Sequence, residues 1–157
     1  MLRISLDDFH HPRSIRYRRG RDAPEGTYED AFDLAAFRSL VLEPLAPGGD
    51  REVRPACHDL GSDTPVSADP VDVGSDGVVI VDGLFLLRPE LGNAWSVSIH
   101  VTVEPEETIR RALARDVPAS GTAAEVERRY RVRYLPAHEI YRRHARPLER
   151  ADVVVVN

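Results

Sequence analysis

The sequence has no lysine: all 21 basic residues among its 157 positions are arginine, so any mechanism that needs an active-site lysine from this chain is excluded. Cysteine is almost as scarce. Cys57 stands alone, which rules out an internal disulfide, and no Cys or His spacing matches a structural zinc site. It reads as a small buried hydrophobe. Long uncharged apolar runs are also missing, so no segment reads as a membrane span. Met1 to Leu6 is too short for a signal-peptide core before Asp7 and Asp8 interrupt it, and a cytoplasmic location is the default expectation.

What is present is an ordinary globular balance, 42% hydrophobic and 30% charged, in a chain long enough to bury a core as one domain. The net charge of −5 argues against general nucleic-acid binding. The arginines nevertheless gather in two stretches. Five of them fall between Arg13 and Arg21, and another group follows Arg128.

Residues 2–6 alternate as a short strand that ends at Asp7 and Asp8, and acids at a strand end lie where open α/β sheets bind ligands. Residues 11–26, punctuated by Pro12, Gly20, Pro24 and Gly26, read as a loop over that face. His10 and His11 beside two carboxylates allow a metal site, but adjacent histidines in an exposed loop read first as ordinary polar residues. Asp33 is placed to cap a helix with Leu34, Phe37, Leu40 and Val41 on one face and Pro44 at its end. Residues 51–77 are irregular, with β-like runs near Val53 and Val71.

Val78 to Val81, closed by Asp82 and Gly83, predicts a strand buried on both faces of a parallel sheet. A further strand is expected at 97–103. Pro105 at a first helical position, with Glu106 and Glu107 in the first turn, starts a helix with Ile109, Ala112 and Leu113 inward. Thr122 and Glu125 form a capping box for a helix that Pro136 breaks or kinks, a second helical piece runs over 137–146, and 151–157 predicts a last buried strand. Strands alternating with helices indicate an α/β fold with a mostly parallel sheet.

Seven blocks in this order resemble the uridine kinase-like family of P-loop nucleoside kinases: SLDDFHHP at 5–12, PEGTYEDAFD at 24–33, PLAPGG at 44–49, VIVDGLFLLRPEL at 79–91, RALARD at 111–116, RRYRVRYLPA at 128–137 and ADVVVVN at 151–157. The resemblance covers essentially residues 2–157. It implies the three-layer P-loop kinase-like fold and transfer of the γ-phosphoryl of ATP, with Mg²⁺, to the 5′-hydroxyl of uridine or cytidine.

By the same resemblance Asp7 falls at the catalytic base, and Asp82 falls at the metal-facing end of the Walker B-like strand, where the family usually has Glu. Residues 111–135 correspond to the lid, with Arg115 in a catalytic position and Arg111, Arg129 and Arg133 over the phosphates. Asp8, His58, Asp59, Asp63 and Arg88 fall in the substrate-binding set. The implied partners are a nucleoside and ATP, with no nucleic acid and no membrane.

One family feature is absent. No G-x-x-x-x-G-K-S/T motif occurs in the sequence, and the first strand, P-loop and first helix of the fold are not represented. The expectation is therefore a truncated chain, inactive or incomplete by itself. The alternatives are a non-catalytic nucleoside- or phosphate-binding relative, and a sister P-loop kinase such as phosphoribulokinase or pantothenate kinase.

Overall fold

The computed structural model describes residues 1–157, apart from the side chains of residues 119 and 120. Strand β1 (Leu2–Ser5) passes directly into a 3-10 turn at Leu6–Phe9, which ends near the isolated bridge between His10 and Phe32. The arginine-rich stretch is more ordered than a loop. It holds two short helices, α1 (Arg13–Arg16), which starts directly after the extended Pro12, and α2 (Pro24–Glu29), where Pro24 presets the backbone for the first turn.

Helix α3 (Leu34–Phe37), a π-helical turn at Arg38–Leu42 and α4 (Glu43–Leu45) form one continuous helical segment. Asp33 caps it as expected, accepting from the Ala36 amide at 2.8 Å. Pro44 sits inside the last turn of this segment instead of after it, and the wider π turn before it gives its ring room.

Two small antiparallel pairs occupy the irregular stretch. β2 (Glu52–Val53) pairs with β5 (Val71–Asp72), and β3 (His58–Asp59) pairs with β4 (Thr64–Pro65). The remaining strands are β6 (Val79–Asp82), β7 (Ile99–Thr102) and β8 (Val153–Val156). β1 pairs with β6 and β7 with β8, both in parallel, which gives the expected mixed α/β architecture as two parallel pairs.

Helix α5 (Pro105–Ser120) follows β7 and buries Ile109 and Ala112; α6 (Ala123–Arg129) begins at the predicted Thr122–Glu125 capping box. A π turn at Tyr130–Tyr134 then joins α6 to α7 (Leu135–Ala145), with Pro136 in the first turn. The predicted break is thus a local widening that accommodates the missing proline N–H. Helix α8 (Pro147–Arg150) leads into β8.

The core joins both halves of the sequence. Phe9 and Phe37 meet edge to face at 5.1 Å, and Phe85 packs between Tyr28 and Tyr141 at 5.3 and 5.2 Å. Phe85 adopts φ 64°, a strained value for an aromatic residue, and its ring is buried in this cluster.

Two burial expectations are corrected. The strand at Val78 to Val81 is not buried on both faces, since Val78 and Ile80 are about half exposed, and the valines of β8 are all exposed. Each parallel pair has one neighbouring strand per member, and among the described residues no element covers the faces that carry Ile80, Ile99, Val101 and the β8 valines. No described helix is long and apolar enough to cross a membrane.

Candidate functional site

The in-register pairing sets Ser5 opposite Asp82, so β1 and β6 deliver their carboxyl-terminal ends side by side. Gly83 makes this approach possible. Its φ is 156°, and a Cβ there would lie 2.5 Å from Leu6 Cβ. Past Ser5, the hydroxyl of that residue accepts from the Asp7 amide at 3.3 Å and caps the 3-10 turn. Leu6 and Phe9 are fully buried, so the turn directs Asp7 and Asp8, which lie between them, outward.

The carboxylates at these strand ends crowd one another. Partial burial, and then the charges of Asp7, Asp82 and Asp59, push the Asp8 carboxyl above its ordinary range. Asp82 is steadied by Arg3, whose Nε donates to it at 2.9 Å. His10 fixes the backbone of the turn, its Nδ1–H donating to the Asp7 carbonyl at 2.7 Å. Burial pulls the imidazole below its usual value, with Arg16 and His58 adding to that effect against the Asp7 contacts, so the ring is uncharged at neutral pH.

The hairpin of β3 and β4 is tied to α1 through Asp63. Its carboxylate accepts from the Arg13 amide at 3.0 and 3.2 Å, from Arg16 Nη2 at 3.1 Å and from His58 Nε2 at 3.3 Å. Burial would raise this acid, but the Arg13, Arg16 and His58 contacts outweigh it and hold it low. Asp59 accepts from the Ser62 amide and hydroxyl, each at 2.6 Å, and closes the hairpin turn. Of the predicted substrate-binding acids, Asp59 and Asp63 are therefore engaged within the hairpin and its tie to α1, His58 is buried against Asp63, and Asp8 faces solvent.

Arg88 lies apart from this group. Its guanidinium stacks 4.3 Å from the Tyr28 ring and donates to the Tyr28 carbonyl and to Glu90, pinning the segment after β6 onto α2.

The lid arginines divide in the same way. Arg111 donates to Glu107 at 2.6 Å, and Arg115 binds Asp116 at 2.5 Å and the Tyr130 hydroxyl at 2.8 Å. Arg128 reaches Asp22 at 2.7 Å and Arg133 reaches the Thr27 hydroxyl at 2.6 Å, so two contacts fasten this helical region to the α1–α2 segment. Between the two lies an open cavity of about 490 Å³, lined by Tyr17, Arg21, Asp22, Glu125, Arg128, Arg129, Arg133 and Tyr134. Arg129 and Arg133 thus come together there, whereas Arg111 and Arg115 do not line it.

Sequence reasoning weighed His10 only as part of a metal site and Arg16 and Arg21 only as members of an arginine-rich loop, and gave Tyr17 and Tyr134 no place in a site. A signal for the cavity was available in the interleaving of tyrosine with arginine, at Tyr17 within 16–21 and at Tyr130 and Tyr134 within 128–134.

Among the described residues, no group of three or more His, Cys, Asp or Glu side chains is arranged to hold a metal. The Asp8 and Asp82 carboxylates, which sense each other's charge, suit Mg²⁺ in its usual mode, with one or two carboxylates and the remaining positions filled by water and phosphate. The triphosphate of ATP does not fit these residues in the P-loop manner, because neither the glycine-rich backbone cradle nor its lysine is in the sequence.

No protein-family model and no curated protein matches the sequence. Solved structures do match its fold. A possible uridine kinase from Bacillus stearothermophilus superposes with a TM-score of 0.71 at 19% identity, covering 98% of this chain and 71% of that one. A candidate fructose transport system kinase from Silicibacter sp. TM1040 gives 0.65 at 23% identity, covering 97% of this chain and 73% of that one. The chain shares the mixed α/β, parallel-strand fold of these two structures.

Proposed function

We propose that this chain provides the acceptor and lid portion of a kinase-type phosphotransferase, with Asp7 as the general base toward a small-molecule hydroxyl. The observation that carries this reading is the outward-facing Asp7 at the end of β1, beside the end of the parallel β6, in a kinase-like fold. A carboxylate there orients the hydroxyl and accepts its proton as the oxygen attacks phosphorus in line. The 5′-hydroxyl of uridine or cytidine is the acceptor that the family resemblance suggests. Asp82, with Asp8, would hold a hydrated Mg²⁺, which would supply neutralisation of phosphate charge. Arg129 and Arg133 act from the lid.

The residues present do not make a nucleotide cradle, so these 157 residues alone are expected to transfer nothing from Mg·ATP. The test is a transfer assay with Mg·ATP and a panel of nucleosides and sugars. It compares this chain with the product of the same reading frame extended upstream. Activity in the extended product that Asp7→Asn removes supports the reading. Activity that survives Asp7→Asn removes Asp7 from the chemistry.

A non-catalytic ligand-binding protein is the second reading. It is favoured by the arginine-lined cavity, which needs no P-loop to hold an anion.

A further inference from the structure

The cavity between the α1–α2 segment and the α6–α7 region contains more positive charge than its own acids neutralise. Four arginines line it against two carboxylates. Both carboxylates have work of their own: Asp22 pairs with Arg128 at 2.7 Å, and Glu125 accepts from the Thr122 amide at 2.9 Å in the helix cap. Arg133 donates its Nε to the neutral Thr27 hydroxyl at 2.6 Å. Arg21 and Arg129 make no ion pair among the described residues. Three guanidinium groups thus face one open space without a carboxylate in direct contact.

Tyrosines hold two of these groups, Arg21 and Arg133. The Arg21 guanidinium lies 5.4 Å from the centre of the Tyr17 ring, and Arg133 lies 5.3 Å from Tyr17 and 5.0 Å from Tyr134. A ring attracts the cation without using up its N–H donors, so the groups are positioned yet remain able to donate. The phenol of Tyr17 registers the surplus charge. Burial would raise its pKa, but the Arg133 hydrogen bond and the neighbouring Arg16, Arg133 and Arg21 charges bring it below the ordinary value.

A planar guanidinium with free donors matches the oxygens of a phosphate group, and a volume of about 490 Å³ is that of a small-molecule site. One wall of the cavity, at Tyr17, Arg21 and Asp22, comes from the segment that follows the Asp7 turn in the sequence, the same part of the chain that carries the proposed base.

We infer that this cavity seats a phosphate group belonging to the acceptor itself, so that the chain binds a phosphorylated small molecule in preference to a neutral nucleoside. The inference rests on the phosphotransferase reading for its acceptor side, and it narrows the acceptor that reading leaves open.

Calorimetric titration of this chain with ribose 5-phosphate, ribose, uridine and ATP tests it, in low and high salt, for wild type and for Arg21→Ala, Arg129→Ala and the surface control Arg142→Ala. The expected result is binding of ribose 5-phosphate at least tenfold tighter than ribose or uridine. That binding should weaken with salt, as screening requires, fall at least tenfold in Arg21→Ala and in Arg129→Ala, and persist in Arg142→Ala. Unchanged melting temperatures would exclude misfolding as the cause of any loss.

Equal binding of ribose and its phosphate, or losses as large in Arg142→Ala, would overturn the inference. Arginine-dependent binding of ATP without any binding of the sugar phosphate would also overturn it, by assigning the cavity to a nucleotide. Because the readout is binding, the phosphate seat stands if it is found and no transfer is ever detected; only the Asp7 reading then falls.

Discussion

The acidic cluster at the ends of β1 and β6 and the arginine cavity beside α6 both crowd like charges, but they hold them differently. Asp7 and Asp8 ride on a 3-10 turn whose flanking Leu6 and Phe9 are locked in the core, so their positions follow from backbone packing. Arg21, Arg129 and Arg133 are long side chains, of which Arg21 and Arg133 are steadied by aromatic faces and Arg133 also by a hydroxyl. A rigid acidic end suits proton transfer at a fixed point, and an adjustable basic cleft suits gripping an anion. Crowding without neutralisation marks both as places for a ligand, whereas Asp63 and Arg88, equally charged, are enclosed by partners and support the fold.

The comparison breaks most visibly at Asp7. In an active, extended product, Asp7→Asn is expected to lower turnover by about 10²- to 10⁴-fold while leaving the acceptor KM nearly unchanged, measured by steady-state kinetics. A loss below about tenfold would contradict the base assignment.

Arg88→Ala sharpens the contrast between support and site. It strips a buried hydrogen-bonding cation from the Tyr28 carbonyl and Glu90, and denaturant unfolding should show a loss of about 3 kcal/mol. Arg129→Ala, by contrast, should stay within about 0.5 kcal/mol of wild type in the same experiment.

The smallest effect concerns Asp8. Its folded-state pKa is raised, so the folded chain binds more protons than the unfolded one between the ordinary carboxylate value and the raised one, and stability falls as pH rises through that window. Asp8→Asn should therefore raise the melting temperature slightly at neutral pH and remove the fall in stability across that window, leaving a slightly steeper rise on the acid side. A lower melting temperature at neutral pH would show that the ionised Asp8 is stabilising.

What could be read from the sequence was mostly local. The Asp33 cap, the Thr122–Glu125 box and Pro105 at a helix start are signals a few residues long, and the structure contains all three. The short helices α1 and α2 were hidden by glycine, proline and arginine, although Pro12 and Pro24 mark their starts. Runs of valine announced β6 and β8 correctly, but β-branched residues report extended backbone and apolarity and say nothing of what lies across the sheet.

At the candidate site, the strand-end position of Asp7 and Asp8 was legible because it needs only a strand and its end. The engagement of Asp63 by Arg13 and Arg16, across nearly fifty residues, and the meeting of Arg21 with Arg129 in one cavity were not. Such pairings arise from tertiary packing, and no local pattern encodes them.

The most direct test of the account is phosphoryl transfer by the extended product, with the Asp7→Asn variant assayed beside it. Where the extended product transfers phosphoryl, the account predicts at least a hundredfold loss in the variant, about the lower end of what a general base contributes. Transfer by Asp7→Asn at near the parent rate would contradict it.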